Sequence, residues 1–216
     1  MESVELTALL NQYLTEMAKI AQEHGAYFDK FIGDAMMFYF GDQESRGIRE
    51  DAAACVRMAI VMQRRLAELQ ESWRANGLID RPFQARMGIN TRYCTVGNFG
   101  NEDRMDYTII GGEVNLAARL EANADAGGIL LAAETYSLVK DWILAEEREA
   151  IIMKGFTKPI KTFSVKGVYD ELATESRVIH SEMDGLSLTI NCDRLNRTSR
   201  KEVVHKLKDA LARLED

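Results

Sequence analysis

No apolar run in this chain of 216 residues approaches the roughly 20 residues needed to cross a bilayer. The first residues also lack the basic-then-apolar layout of a secretory leader. A cytoplasmic location without membrane contact is expected of this segment, and a parent protein can be attached to a membrane only through segments outside it. Basic excess is missing too. Lys and Arg number 27 against 34 Asp and Glu, a net charge of -7, so the chain carries no overall footprint for nucleic acid. Cysteine is scarce: Cys55, Cys94 and Cys192 lie far apart with no C-x-x-C pair, which fits a reduced compartment. His24, His180 and His205 have no metal-ligand spacing and read as surface residues. There is no internal repeat or low-complexity tract, and the glycine-rich parts match neither a P-loop nor the Rossmann G-x-G-x-x-G.

What is present is ordinary globular material, 46% hydrophobic and 28% charged, enough for one good-sized core plus an appendage. Leu6, Leu9, Leu10, Tyr13, Leu14, Met17 and Ile20 fall on one face of a helix over 4–23, which Gly25 ends. Strands are expected at 27–32 and 35–40 around a Gly33-Asp34 hairpin turn, then a long amphipathic helix over 49–75. "FQARMGIN", "YCTVGNFG" and "YTII" read as strands, "GGEVNLAARLEANADAGG" as a helix, "ILLA" as a strand and "ETYSLVKDWI" as a short helix. A final strand pair is expected at 150–154 and 160–169. This succession of helices and strands implies an α+β sheet with helices on one face. After about residue 173, "GLSLTINC" reads as a strand and "SRKEVVHKLKDALARLED" as an amphipathic helix with Ser199 as cap and Glu202 completing a capping box. The expected division is therefore 1–172 as the main domain and 173–216 as a strand-helix extension packed on it.

Two stretches carry chemistry. In "DKFIGDAMMFYF", residues 29–40, charged Lys30 and Asp34 interrupt a core-like run. A carboxylate after a glycine at a hairpin tip can meet a divalent cation, which usually takes one or two protein carboxylates plus water and substrate phosphates. It can equally be a turn aspartate satisfying local backbone, as Lys30 can be an edge-strand lysine with its head in water. In the second stretch, Asn115 and Arg119 are four apart and share a helix face. An amide and a guanidinium there suit a sugar hydroxyl and a phosphate oxygen, or form a solvated stripe opposite Leu116, Ala117 and Leu120.

"DKFIGDAMMFYFG" and "RMDYTIIGGEVNLAARLE" together resemble the class III nucleotidyl cyclase family in its bacterial adenylate cyclase branch. "RMGINTRYCTVGNFG" between them and "MKGFTKP" after them are similar to that family in the right order, so the resemblance covers roughly residues 3 to 170. It implies a ferredoxin-like, antiparallel-rich α+β sheet with helices on one face, and a head-to-tail homodimer with two interfacial sites. It implies ATP as substrate, cyclic AMP and pyrophosphate as products, and two Mg2+ or Mn2+ ions per site. By motif, Asp34 resembles the second metal aspartate, and Lys30 and Thr108 the pair that reads adenine. Asn115 resembles the residue that orients the ribose and Arg119 the one that stabilises charge on the α-phosphate. Lys154, with Lys158 the second candidate, resembles the lysine that holds the terminal phosphates. In such a homodimer Lys30 and Asp34 of one hairpin serve opposite half-sites, which accounts for charges in an apolar run. The guanylate branch typically places glutamate and cysteine where Lys30 and Thr108 stand, so ATP is expected over GTP.

The chain departs from the family in one large respect. The strand with "F-x-D-I-x-G-F", whose aspartate is the first metal ligand, has no counterpart, and its place would lie upstream of Met1. Open sheet edges and exposed apolar surface are expected in its absence. Arg92 also stands where related sequences often have glycine. Three readings follow: an adenylate cyclase, a guanylate cyclase, or a catalytically silent nucleotide-binding or dimerisation module. A regulatory domain or protein is expected outside these residues.

Overall fold

The computed structural model describes residues 3–152, 158–169, 178–183, 185–191, 195 and 197–215. It divides into two compact units. The first takes in Met1–Lys140 and Ala145–Val165, the second Asp141–Leu144 and Lys166–Asp216.

The first unit opens with α1 (Ser3–Glu23), followed by β1 (Tyr27–Ile32), β2 (Ala35–Tyr39) and α2 (Ile48–Ala75). The periodic apolar face of α1 packs on α2 in two clusters. Met17, Ile20 and Ala21 meet Met58 and Met62, while Leu9 meets Leu66, Leu69 and Trp73. Polar pairs flank this seam: Trp73 Nε1 donates to Gln12 Oε1 at 2.8 Å, and Arg65 Nε to Glu16 Oε2 at 2.9 Å. The β1–β2 hairpin turns at Gly33-Asp34, since Ile32 pairs with Ala35. Gly33 has φ 65°, the positive value that a two-residue hairpin turn asks of its first central residue.

Next come β3 (Met87–Ile89), β4 (Thr95–Gly100), β5 (Met105–Ile110), α3 (Gly112–Asn123), β6 (Ile129–Ala132) and α4 (Ala133–Val139), then β7 (Ile143–Ile151) and β8 (Ile160–Val168). β3, β6, β8 and β7 form one sheet in that order, with β3 parallel to β6 and β6 antiparallel to β8. Leu116 and Leu120 of α3 are buried against Leu130, Ala132 and Ile151. Each fully buried leucine contributes about 1.5–3 kcal/mol.

The approach of α3 depends on Gly88. A Cβ there would stand 2.2 Å from the Glu121 amide nitrogen and 2.3 Å from the Ala117 carbonyl oxygen, both backbone atoms of α3. Backbone cannot swing aside as a side chain can, so Gly88→Ala is expected to cost about 3 kcal/mol. Thermal unfolding should show Tm lowered by roughly 10 °C; an unchanged Tm would mean that α3 is not seated on this strand.

The β1–β2 and β4–β5 hairpins each form a two-stranded sheet among the described residues. Phe28, Phe31 and Ile32 on the first, with Met105, Tyr107 and Ile110 on the second, remain exposed.

In the second unit β9 (Val178–Met183) pairs antiparallel with β10 (Leu186–Asn191), and α5 (Arg197–Glu215) closes the chain. Three expectations are corrected. β7 begins at Ile143, not 150; its exposed run Glu146–Ala150 is mostly charged and shows no alternation, although its backbone pairs within the sheet. β9 was not expected at all. Helix α5 starts at Arg197, so Ser199 lies inside its first turn and not at the cap.

Candidate active site

Three elements carry the residues singled out by sequence, and one of them contains an irregularity that matters. In β1, Phe28 pairs with Phe38 but Lys30 pairs with Met37, so Asp29 is left without a partner on β2. The Asp29 side chain is wholly buried, and its Oδ2 accepts a hydrogen bond from Thr108 Oγ1 of β5 at 2.8 Å. Lys30 Nζ lies 3.5 Å from the same oxygen, with its side chain 45% exposed. Lys30 and Thr108 are thereby brought to one place, linked through a residue that strand alternation does not single out. Thr108 itself is buried and stands opposite Gly97 in the β4–β5 ladder.

The neighbouring residue of β5 makes a second tie. Tyr107 Oη donates to Asp42 Oδ2 at 2.8 Å, just past β2. That hydrogen bond, with a smaller effect of burial, pushes the Tyr107 phenol above its ordinary range. Tyr39, stacked on Tyr27 at 5.3 Å, is also pushed up, chiefly by burial and then by the Asp42 charge. Successive β5 side chains therefore hold the two hairpins together.

Asn115 and Arg119 stay exposed on α3 while Leu116 and Leu120 are buried, so the helix presents them as one polar face. Arg119 borders an open groove of about 730 Å³ between α3 and the β7–β8 strands, lined also by Asn123, Glu146, Glu149, Ile152 and Thr162. Two further charges of the β7 run line the groove as ion pairs, Glu147 with Lys161 at 3.0 Å and Arg148 with Asp125 at 2.9 Å. The start of α3 is tied to the joint after β3. Asn90 Nδ2 donates to Glu113 Oε2 at 2.9 Å, and Arg92 bonds Glu134 while lying 4.0 Å from Glu113. Arg92 thus ties this joint to α4, and the Glu134 bond raises its pKa further.

Asp34 is exposed at the hairpin tip. Its charge reaches Tyr13 of α1, whose phenol is pushed up first by burial and second by Asp34. A single exposed carboxylate fits one divalent cation that shares substrate phosphates. Among the described residues no group of three or more His, Cys, Asp or Glu gathers as a metal site. Lys154 lies outside the described residues, and Lys158 is described and exposed.

The sequence reading missed Asp29. The one signal for it was its position directly before Lys30: alternation turns Asp29 inward and Lys30 outward, yet Lys30 Nζ reaches back to the carboxylate.

Comparison with known proteins finds cyclase domains of similar sequence and fold. A crystal structure of the adenylyl cyclase CyaB from P. aeruginosa is 52% identical, with a TM-score of 0.73, over 76% of this chain and 84% of that one. A crystal structure of the guanylyl cyclase Cya2 is 31% identical, with a TM-score of 0.70, over 78% of this chain and 83% of that one. Adenylate cyclase 1 of Rhizobium meliloti is 30% identical over 166 residues, 76% of this chain, yet the match spans only 24% of that protein's length. No described helix is long and apolar enough to cross a membrane. The model of the adenylate and guanylate cyclase catalytic domain matches residues 1–167, and the chain belongs to that family of cyclases.

Proposed function

We propose that this domain is an adenylate cyclase, converting ATP to 3′,5′-cyclic AMP and pyrophosphate at sites shared by a head-to-tail homodimer. The observation that carries the choice of ATP is the meeting of Lys30 with Thr108 around Asp29. The Lys30 ammonium donates to adenine N1, which is an acceptor, whereas N1 of guanine carries a hydrogen. The Thr108 oxygen accepts from the adenine amino group, where guanine presents a carbonyl. A site built on such bonds can reject the wrong base by up to about 10⁴-fold.

In the reaction the ribose 3′ oxygen forms a bond to the α-phosphorus as the bond to the bridging oxygen breaks, and pyrophosphate leaves. Asn115 orients the ribose, and Arg119, one turn along the same exposed face, meets the charge that grows on the α-phosphate oxygens. Lys154 or Lys158 holds the terminal phosphates. Asp34 of the partner protomer would hold Mg2+ or Mn2+, which when bound supplies charge neutralisation and eases loss of the hydroxyl proton.

Calorimetry with ATP and magnesium, beside a turnover assay, tests this reading. ATP binding with cyclic AMP formation is expected. Binding without product would favour a silent module, and faster turnover of GTP would make the domain a guanylate cyclase.

A further inference from the structure

Resting on the reading of Lys30 and Thr108 as the adenine contacts, we infer that Asp29 is a specificity-determining positioning residue. It holds the proton of the Thr108 hydroxyl, so that this hydroxyl meets the base only as an acceptor.

A threonine hydroxyl is ambiguous by nature, with one hydrogen to donate and lone pairs to accept with. Left free, it would turn its hydrogen toward the O6 of guanine as readily as it would accept from the amino group of adenine. The Asp29 carboxylate removes that choice. It lies 2.8 Å from Thr108 Oγ1, nearer than the Ile109 carbonyl at 3.5 Å, and an ionised carboxylate only accepts. The single hydroxyl hydrogen is therefore committed inward. Only the oxygen lone pairs remain for a ligand, and these attract the amino group of adenine and repel the carbonyl of guanine.

Burial gives the arrangement its force. The Asp29 side chain is 0% exposed, and its Oδ1 has no hydrogen-bond partner among the described residues. A buried carboxylate with one oxygen unpaired is costly to keep. The bulge between Phe28 and Lys30 also takes it out of the ladder, leaving it without a partner on β2. Both features are expensive for a residue whose only work is packing, and both are explained if the carboxylate sets the hydrogen-bond sense of Thr108. The same oxygen lies 3.5 Å from Lys30 Nζ, so one carboxylate positions a donor for N1 and an acceptor for the amino group side by side.

The test is the ratio of ATP to GTP affinity, measured calorimetrically with magnesium on the homodimer. The proteins compared are the unaltered chain, Asp29→Asn, Asp29→Ala, and each paired with Thr108→Val. Asn keeps the shape but can donate as well as accept, and Ala leaves the hydroxyl free without stranding a polar atom. It serves as the second variant should Asn fold poorly. The ATP preference is expected to fall about tenfold in both. No further fall is expected from either change once Thr108→Val is present, because Asp29 acts through that hydroxyl. Equal weakening of both nucleotides with the ratio intact would show a merely structural carboxylate and overturn the inference, leaving the adenylate reading in place. An unaltered chain that binds neither nucleotide, or prefers GTP, would sink that reading and the inference together.

Discussion

Replacing Arg119 with alanine is expected to lower the rate of cyclic AMP formation by about 10²–10³-fold while ATP affinity changes only slightly. The reasoning starts from α3. Its buried face is occupied by Leu116 and Leu120, which seats the helix on the sheet and leaves Arg119 exposed beside the groove. On the proposed reading, a guanidinium so placed would meet an α-phosphate whose equatorial oxygens gain charge as the 3′ oxygen attacks. An interaction that strengthens only then accelerates the step without tightening ground-state binding. A companion experiment tests the shared site. Arg119→Ala and Asp34→Asn chains, each inactive alone, should recover activity when mixed, because one site of each heterodimer combines an intact Arg119 with an intact Asp34. Equal losses in rate and affinity would contradict the transition-state role, and failure of the mixture to recover would contradict the division between protomers.

The second large effect concerns Lys30. Lys30→Met keeps the length of the side chain but removes the donor for adenine N1. Catalytic efficiency with ATP is expected to fall by about 10–100-fold, the worth of a charge-assisted hydrogen bond, while GTP is little affected. Steady-state kinetics with both nucleotides give the answer directly. A parallel loss for ATP and GTP would mean that Lys30 serves the strand edge or the phosphates and does not read the base.

Much of this arrangement was legible in residue order alone. The α1 and α2 faces follow from 3.6-residue periodicity, and Gly33-Asp34 announced its own turn. Asn115 and Arg119 were paired by their spacing, and burial of Leu116 and Leu120 confirms the exposed face they share. What escaped depends on tertiary pairing. β7 is built from Glu146, Glu147, Arg148 and Glu149, which no strand pattern favours; its backbone partners in the sheet, and not its side chains, make it a strand. Asp29 escaped for a related reason. Its facing follows strand alternation, but its bond to Thr108 depends on β5 lying alongside, and nothing local in "DKF" announces that. The role of Gly88 was equally silent, since a glycine in a strand does not say which helix backbone will lie against it.

The most direct measurement is cyclic AMP formation from ATP with manganese. It should be made on this chain and on a version carrying, ahead of α1, a strand with the "F-x-D-I-x-G-F" motif. The account predicts that the extended version forms cyclic AMP, with GTP turned over far more slowly, and that the chain without the added carboxylate is much weaker. If neither turns over ATP although the extended version is folded and dimeric, the assignment of Lys30, Thr108, Asn115, Arg119 and Asp34 to a cyclase site is contradicted.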